Sequence, residues 1–246
     1  RVVGLQNRLG SNGATLRAAN GAGLSGSRFV GAPTATRDAV LMYHGASTVR
    51  SAAAACTLLQ LNCSITLVGD YVTRLTSATN RPAMFLFDAK TGVPSGAFEG
   101  ALRSYIAGGG RVFWSSSRAL ASGTQSALGV TLGAAHQHRG MTATADDAGE
   151  LLQPNPALVA VSDSTGASTT NGYFVTALVG DAVATHAFAG GNAPSLVRAN
   201  AGRTWFSGNV FDDSGTTDSD ADGVGDAVEV AANAMVWSLS VIDTDN

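Results

Sequence analysis

The sequence predicts an α/β fold in three layers, a mostly parallel sheet with an antiparallel C-terminal extension. Three observations predict it. Short unbroken apolar runs recur between residues 39 and 115, and helical apolar spacing fills the gaps between them. Beyond residue 172, alternating or β-branched segments are punctuated by Gly and Asn. Strands covered on both faces read as continuous apolar runs, whereas strands with one wetter face alternate.

Taken in order, residues 1–36 are rich in Gly, Ala, Ser and Asn without a sustained period. They read as an N-terminal extension or a pair of short strands, ahead of a single α/β domain at 37–246. Ala39-Val40-Leu41-Met42-Tyr43 is the first parallel strand. After His44-Gly45-Ala46, Ser47 stands where a helix N-cap belongs, and Val49, Ala53, Cys56 and Leu59 follow at helical spacing. Ile65-Thr66-Leu67-Val68 is the second strand, ending at Gly69-Asp70. Ala83-Met84-Phe85-Leu86-Phe87 is the third, ending at Asp88. A helix from about Pro94-Ser95 carries Phe98, Leu102, Tyr105 and Ile106 on one face. Gly108-Gly109-Gly110 stops it, and Arg111-Val112-Phe113-Trp114-Ser115 is the fourth strand. Such a succession of strands and helices gives a parallel sheet with right-handed crossovers.

The second half reads differently. Tyr173–Val179, Ala182–Phe188, Ser195–Ala199 and Arg203–Ser207 have the composition of antiparallel strands. Gly190-Gly191-Asn192 and Asn200-Ala201-Gly202 have that of hairpin turns. A last helix at about 227–240 turns Val228, Ala232, Met235, Val236 and Leu239 toward the core.

Composition narrows the function classes. Hydrophobic residues make up 45% of the chain and charged ones 13%, against about 25% charged in ordinary soluble proteins. Lys90 is the one lysine, and the arginines are scattered singly, so no clustered basic face exists for nucleic acid. No apolar run reaches the roughly 20 residues of a transmembrane segment. The chain begins at Arg1, which reads as a removed leader or a fragment of something longer. Cys56 falls late in a predicted helix and Cys63 at the start of the next strand. The pair is either a disulfide across that turn or two buried thiols.

The strongest chemical signal is Asp218-Ser219-Asp220-Ala221-Asp222-Gly223-Val224-Gly225-Asp226-Ala227-Val228-Glu229. An EF-hand-type calcium loop needs oxygens at positions 1, 3 and 5, a backbone carbonyl at 7, a water-bridging group at 9 and a bidentate acid at 12. Asp218, Asp220, Asp222, Val224, Asp226 and Glu229 stand at those positions. Gly223 occupies position 6, where the chain turns sharply. Carboxylates without His or Cys suit calcium better than zinc. Gly225 replaces the usual apolar residue at position 8, and Phe211-Asp212-Asp213-Ser214-Gly215 cannot form an entering helix. The loop is therefore of the solitary type found in secreted bacterial proteins and thrombospondin-type repeats. The competing reading is a solvated acidic turn.

Weaker candidates lie elsewhere. Ser115, Ser116 and Ser117 end a central strand, where α/β sheets place ligands, and His44, Asp70 and Asp88 end neighbouring strands. A hydrolase could be assembled there from a serine, His44 as base and an orienting aspartate. The alternative is a rim of small polar caps, and no Gly-x-Ser-x-Gly elbow is present. His136-Gln137-His138 could direct two imidazoles toward a transition metal, with His186 or His44 as a third ligand, or be plain polar residues. Gly21-Ala22-Gly23-Leu24-Ser25-Gly26 lacks the preceding strand and following Lys of a phosphate loop.

Three segments resemble the class I glutamine amidotransferase-like group of flavodoxin-like folds, especially its ThuA-like branch. They are Ala101–Phe113 with its helix, Gly-Gly and strand; Leu128-Gly129-Val130; and Pro194–Val197 with Gly202–Asn209. The resemblance covers about residues 38–240. It implies a nucleophilic cysteine at the turn after the fourth strand and a downstream His-x-Glu pair. Here the turn reads Trp114-Ser115-Ser116-Ser117-Arg118, and His186 is followed by Ala187-Phe188, so glutaminase chemistry is not expected. The expectation is a secreted, periplasmic or cell-surface domain that binds calcium and acts without catalysis, as a structural module or as a binder of a protein or glycan partner. A hydrolase or metal-dependent enzyme at the strand ends is the alternative.

Overall fold

The computed structural model describes residues 9–10, 13–19, 25–30, 40–43, 51–59, 61–65, 70–79, 81–89, 96–137, 140–144, 158–159, 172–211 and 224–240. Among these, the chain opens with β1 (Leu9–Gly10), β2 (Gly13–Ala19) and β3 (Ser25–Val30), a three-stranded antiparallel sheet of its own. The sequence led us to expect at most a pair of strands there. The α/β unit follows as β4 (Val40–Tyr43), α1 (Ser51–Leu58), β5 (Cys63–Ile65), α2 (Tyr71–Thr76), β6 (Met84–Ala89), α3 (Gly96–Ala107) and β7 (Arg111–Ser116). After α4 (Ser122–Ala127) come β8 (Val130–His136), β9 (Met141–Ala143), β10 (Leu158–Val159), β11 (Gly172–Leu178), β12 (Val183–Phe188), β13 (Pro194–Ala199), β14 (Thr204–Ser207) and α5 (Asp226–Ser240).

The described strands build a large mixed sheet in the order β10-β9-β12-β13-β14-β7-β6-β4-β5. Pairing is parallel from β5 through β14 and antiparallel from β14 out to β10. Numbered by their appearance in the chain, the five parallel strands lie 2-1-3-4-5, the flavodoxin-like order. The predicted α/β class and antiparallel extension are both present.

Alternation along the strands explains the three layers, because successive side chains point to opposite faces. Val40, Met42, Met84, Leu86, Phe113, Leu196 and Trp205 pack on one face with Ala55 and Cys56 of α1, with Leu59 just beyond it, and with Ala227, Val230, Ala231 and Met235 of α5. Leu41, Phe85, Phe87, Val112, Trp114, Val197 and Phe206 point the other way, onto Tyr71 and Leu75 of α2 and Phe98, Leu102, Tyr105 and Ile106 of α3. Aromatic rings fill the second layer, with Phe87 and Trp114 stacked at 4.1 Å between centroids. Such ring pairs add roughly 1 kcal/mol beyond the area they bury.

The stop after α3 follows the glycines. Gly109 takes φ +79°, and Gly110 and Gly109 donate to the carbonyls of Tyr105 (2.8 Å) and Ile106 (2.9 Å), a Schellman cap. A side chain at Gly110 would meet the Tyr105 ring at 2.4 Å.

Three features differ from the expectation. The crossover between β5 and β6 contains α2, a six-residue helix that buries only Tyr71 and Leu75, one turn apart. A second short helix, α4, precedes β8. The segment at Gly172–Leu178 pairs with β8 in a separate two-stranded antiparallel sheet rather than extending the large one. Its Val175, with Val130 of β8, covers the second core layer beside α3. Cys56 and Cys63 are joined in a disulfide across the α1–β5 turn, with Cα atoms 6.3 Å apart. Among the described residues, no helix is long and apolar enough to cross a membrane.

Candidate functional site

The C-terminal ends of β6 and β7 carry a buried polar knot. Asp88 and Ser115 are register partners on these adjacent parallel strands. Alternation from Met84, Leu86 and Phe113 turns both toward the α1/α5 face. Both are 0% exposed. The Ser115 hydroxyl donates to Asp88 Oδ1 at 2.8 Å and lies 3.0 Å from the Asn209 carbonyl. The Phe211 amide in turn donates to Ser115 Oγ (2.9 Å) and Asp88 Oδ1 (3.1 Å), while the Phe211 carbonyl accepts from Ser51 Oγ at 2.9 Å. Burying a carboxylate is costly unless hydrogen bonds compensate it, and here it receives two on one oxygen.

Each serine of the run has a structural setting. Ser115 is enclosed and its proton is already committed. Ser116 Oγ accepts the Arg118 amide at 3.1 Å, a local turn closure, and Ser117 is buried beside it. Asp70 stands at the N-cap of α2, exposed and without a side-chain capping bond. His44 lies outside the described residues.

Phe211 is also where the acidic segment departs. Its ring stacks on Phe113 with centroids 6.0 Å apart, so ring, amide and carbonyl are each held. The segment returns at Val224 and Gly225. The Gly225 carbonyl accepts the amides of Val228 (2.8 Å) and Glu229 (3.1 Å), closing the first turn of α5. Glu229 is thereby placed in that first turn, as position 12 of a calcium loop requires, and its side chain is 0% exposed. Phe211 and Ala227 belong to one core cluster, which fixes both stems against the same layer. Asp218, Asp220 and Asp222 lie outside the described residues, as does the side chain of Asp226.

The histidines fall into separate settings. His136 ends β8 with its ring wedged between Phe174 and Phe188, each at 4.6 Å, and its Nδ1 faces the Gln137 carbonyl. His138 lies outside the described residues. His186, on β12, is 2% exposed, with Nδ1 3.1 Å from Thr185 Oγ1. The Thr185 hydroxyl also lies 3.3 Å from the Leu196 carbonyl. Nε2 has no partner among the described residues, and burial lowers the His186 pKa to about 4. Among the described residues, no three His, Cys, Asp or Glu side chains converge as a metal cluster.

Sequence reasoning found Asp88 and Ser115 by their strand-end positions. It missed Ser51 and Phe211, whose contribution depends on contacts 160 residues apart in the chain. A backbone acceptor has no residue-type signature, so only the three-dimensional arrangement reveals it.

No protein-family model matches the chain, and no curated protein matches it. A solved structure described as "Crystal structure of SMU.1228c" is similar, with a TM-score of 0.50 and 12% sequence identity, over 83% of this chain and 97% of that one. At that identity the likeness speaks for the fold alone.

Proposed function

We propose that the protein is a secreted, periplasmic or cell-surface domain that holds one calcium ion in the loop 218–229 and works as a structural or binding module rather than a catalyst. The ligands would be the carboxylates of Asp218, Asp220, Asp222 and Glu229, the carbonyl of Val224, and Asp226 through water. The observation that carries this reading is Glu229, whose carboxylate is buried in the first turn of α5 at the register of the bidentate ligand. The bracketing of the acidic segment by two stems in one core cluster supports the same reading. Chelation would neutralise carboxylates that otherwise repel one another, and it would order the segment that leads into α5.

Residence outside the cytoplasm draws support from the Cys56–Cys63 disulfide, since such bonds persist in oxidising compartments. A relation to the amidotransferase-like, ThuA-like group draws support from the 2-1-3-4-5 strand order and the Gly-capped helix before β7. The chain's two cysteines are joined to each other, which leaves no thiol nucleophile. The hydrolase alternative gains nothing from a Ser115 hydroxyl that is enclosed and already donated to Asp88.

Calorimetric titration of the chelator-stripped chain with calcium chloride tests the proposal. One ion per chain is expected. Asp220→Ala combined with Asp222→Ala should weaken binding at least a hundredfold, because two of the anionic ligands are gone. Absence of binding at millimolar calcium would refute the reading.

A further inference from the structure

We infer that the Cys56–Cys63 disulfide is a redox-operated latch that holds β5 on the large sheet, so that a dithiol reductant releases this strand while the rest of the sheet stays folded. Among the described residues, β5 is the outermost strand on its side of the sheet and pairs with β4 alone. The pairing is short and parallel: Val40, Leu41 and Met42 face Cys63, Ser64 and Ile65. Parallel pairing is the weaker kind per residue, and a strand this short makes little of it. Side-chain anchorage is slight too, since Leu61 and Cys63 pack only partly buried against the first core layer. The covalent bond ties the strand to α1 through Cys56, which is 3% exposed and fixed in the core.

A bridge between residues seven apart joins neighbours, so its hold is local and not a staple across the fold. The two cysteines differ in setting. Cys63 is the half-buried partner at the sheet edge, whereas Cys56 is enclosed beside Met42, whose Sδ lies 3.5 Å from Cys56 Sγ. A reductant thiolate that attacks Cys63 Sγ breaks the bond to Cys56 and forms a mixed disulfide at Cys63. The expelled Cys56 sulfur takes up a proton. The second thiol of the reductant then resolves the mixed disulfide, leaving Cys63 as a thiol and the reductant as its own disulfide. Two electrons and two protons pass to the chain. Met42 Sδ stands within reach of the new Cys56 S–H, and a free cysteine packs in a core as a small apolar group. Reduction therefore leaves the α1 side of the bridge packed and loosens the β5 side. Its product is a bare edge on β4, where the Val40–Met42 backbone can pair with another strand. In an oxidising compartment the latch stays closed.

Amide hydrogen exchange of the full chain tests the latch, measured before and after dithiothreitol treatment at one calcium concentration, with alkylation to count free thiols. Cys56→Ala combined with Cys63→Ser gives the open form without reductant. Both cysteines should become alkylated in the folded chain. Exchange at β5 should then run about fiftyfold faster, the factor that closing a loop of this length supplies. Exchange at β6 and β7 should change by less than about threefold, since local opening leaves core strands protected. Oxidised glutathione should restore the protection of β5. Unchanged exchange at β5 in the reduced chain, or an equal loss at β6 and β7, would overturn the latch and leave the bridge either redundant or a general staple. A disulfide that dithiothreitol cannot open in the folded chain would overturn it as well. Should the double variant fail to fold, the reduced native chain decides alone.

Discussion

Thr185 and His186 stand side by side on β12, and their burial links one side chain to the acid stability of the protein. His186 is neutral in the fold, with its pKa lowered to about 4 by burial, whereas an unfolded histidine titrates near 6.5. Above about pH 6.5 neither state binds the proton, and the stability is complete. As the pH falls from there toward 4, the unfolded state takes up the proton first, so stability is lost across that window and no further below it. The loss amounts to roughly 3 kcal/mol. Denaturant unfolding between pH 7 and 4 should therefore show a steeper decline in the native chain than in His186→Gln, and parallel curves would mean that His186 is protonated in the fold. The same scale shows what single residues disclosed in advance. The end of an apolar run located Ser115 and Asp88 at a strand terminus. It could not reveal that neighbouring-strand register places them opposite one another, because register belongs to pairs of strands and not to either one.

At the scale of elements, the turn joining β13 to β14 holds unusual backbone. Asn200 and Ala201 both have φ +54° and Gly202 has φ +84°. The carboxylate of Asp181 crosses from the β11–β12 turn to accept the amides of Asn200 (2.8 Å) and Ala201 (2.6 Å). Its modest burial alone would raise the Asp181 pKa. The amides of Ala201 and Asn200, with Arg203 nearby, outweigh that and lower it. Asn tolerates the left-handed region, but Ala gains nothing there to offset its Cβ clash. Ala201→Gly should accordingly stabilise the protein by roughly 1 kcal/mol, read as a higher denaturant midpoint at unchanged slope. An unchanged or lower midpoint would show that the turn carries no strain at this residue. The hairpin itself was legible from Asn200-Ala201-Gly202, as were β4, β6, β7 and α3 from their long or unbroken apolar patterns. Helix α2 was not, since six residues with two apolar contacts give no repeated period to detect. The β8–β11 pair escaped for a different reason. Gly172–Leu178 reads as a strand, but nothing in a strand's own sequence says which sheet it joins.

At the scale of the whole molecule, α1 and α5 on one face and α2 and α3 on the other cover a sheet whose parallel half ends at β14, and the chain must then travel from Phe211 to α5. Helix α5 closes the first core layer through Ala227, Val230, Ala231 and Met235, so whatever orders its approach contributes to the stability of the entire unit. An ion bound as proposed would act globally: at a free concentration one hundred times its Kd it would stabilise by about 2.7 kcal/mol. For a chain of this length that corresponds to about 5–10 °C in melting temperature. The hydrogen bonds around Phe211 are assembled from β6, β7 and α1 and have no linear signature. Thermal unfolding of the full chain in millimolar calcium and again in excess EDTA tests the central claim most directly. The account predicts a fall of about 5–10 °C on chelation, restored by adding calcium back and absent with magnesium at the same concentration. Superimposable melts in calcium and EDTA would contradict it.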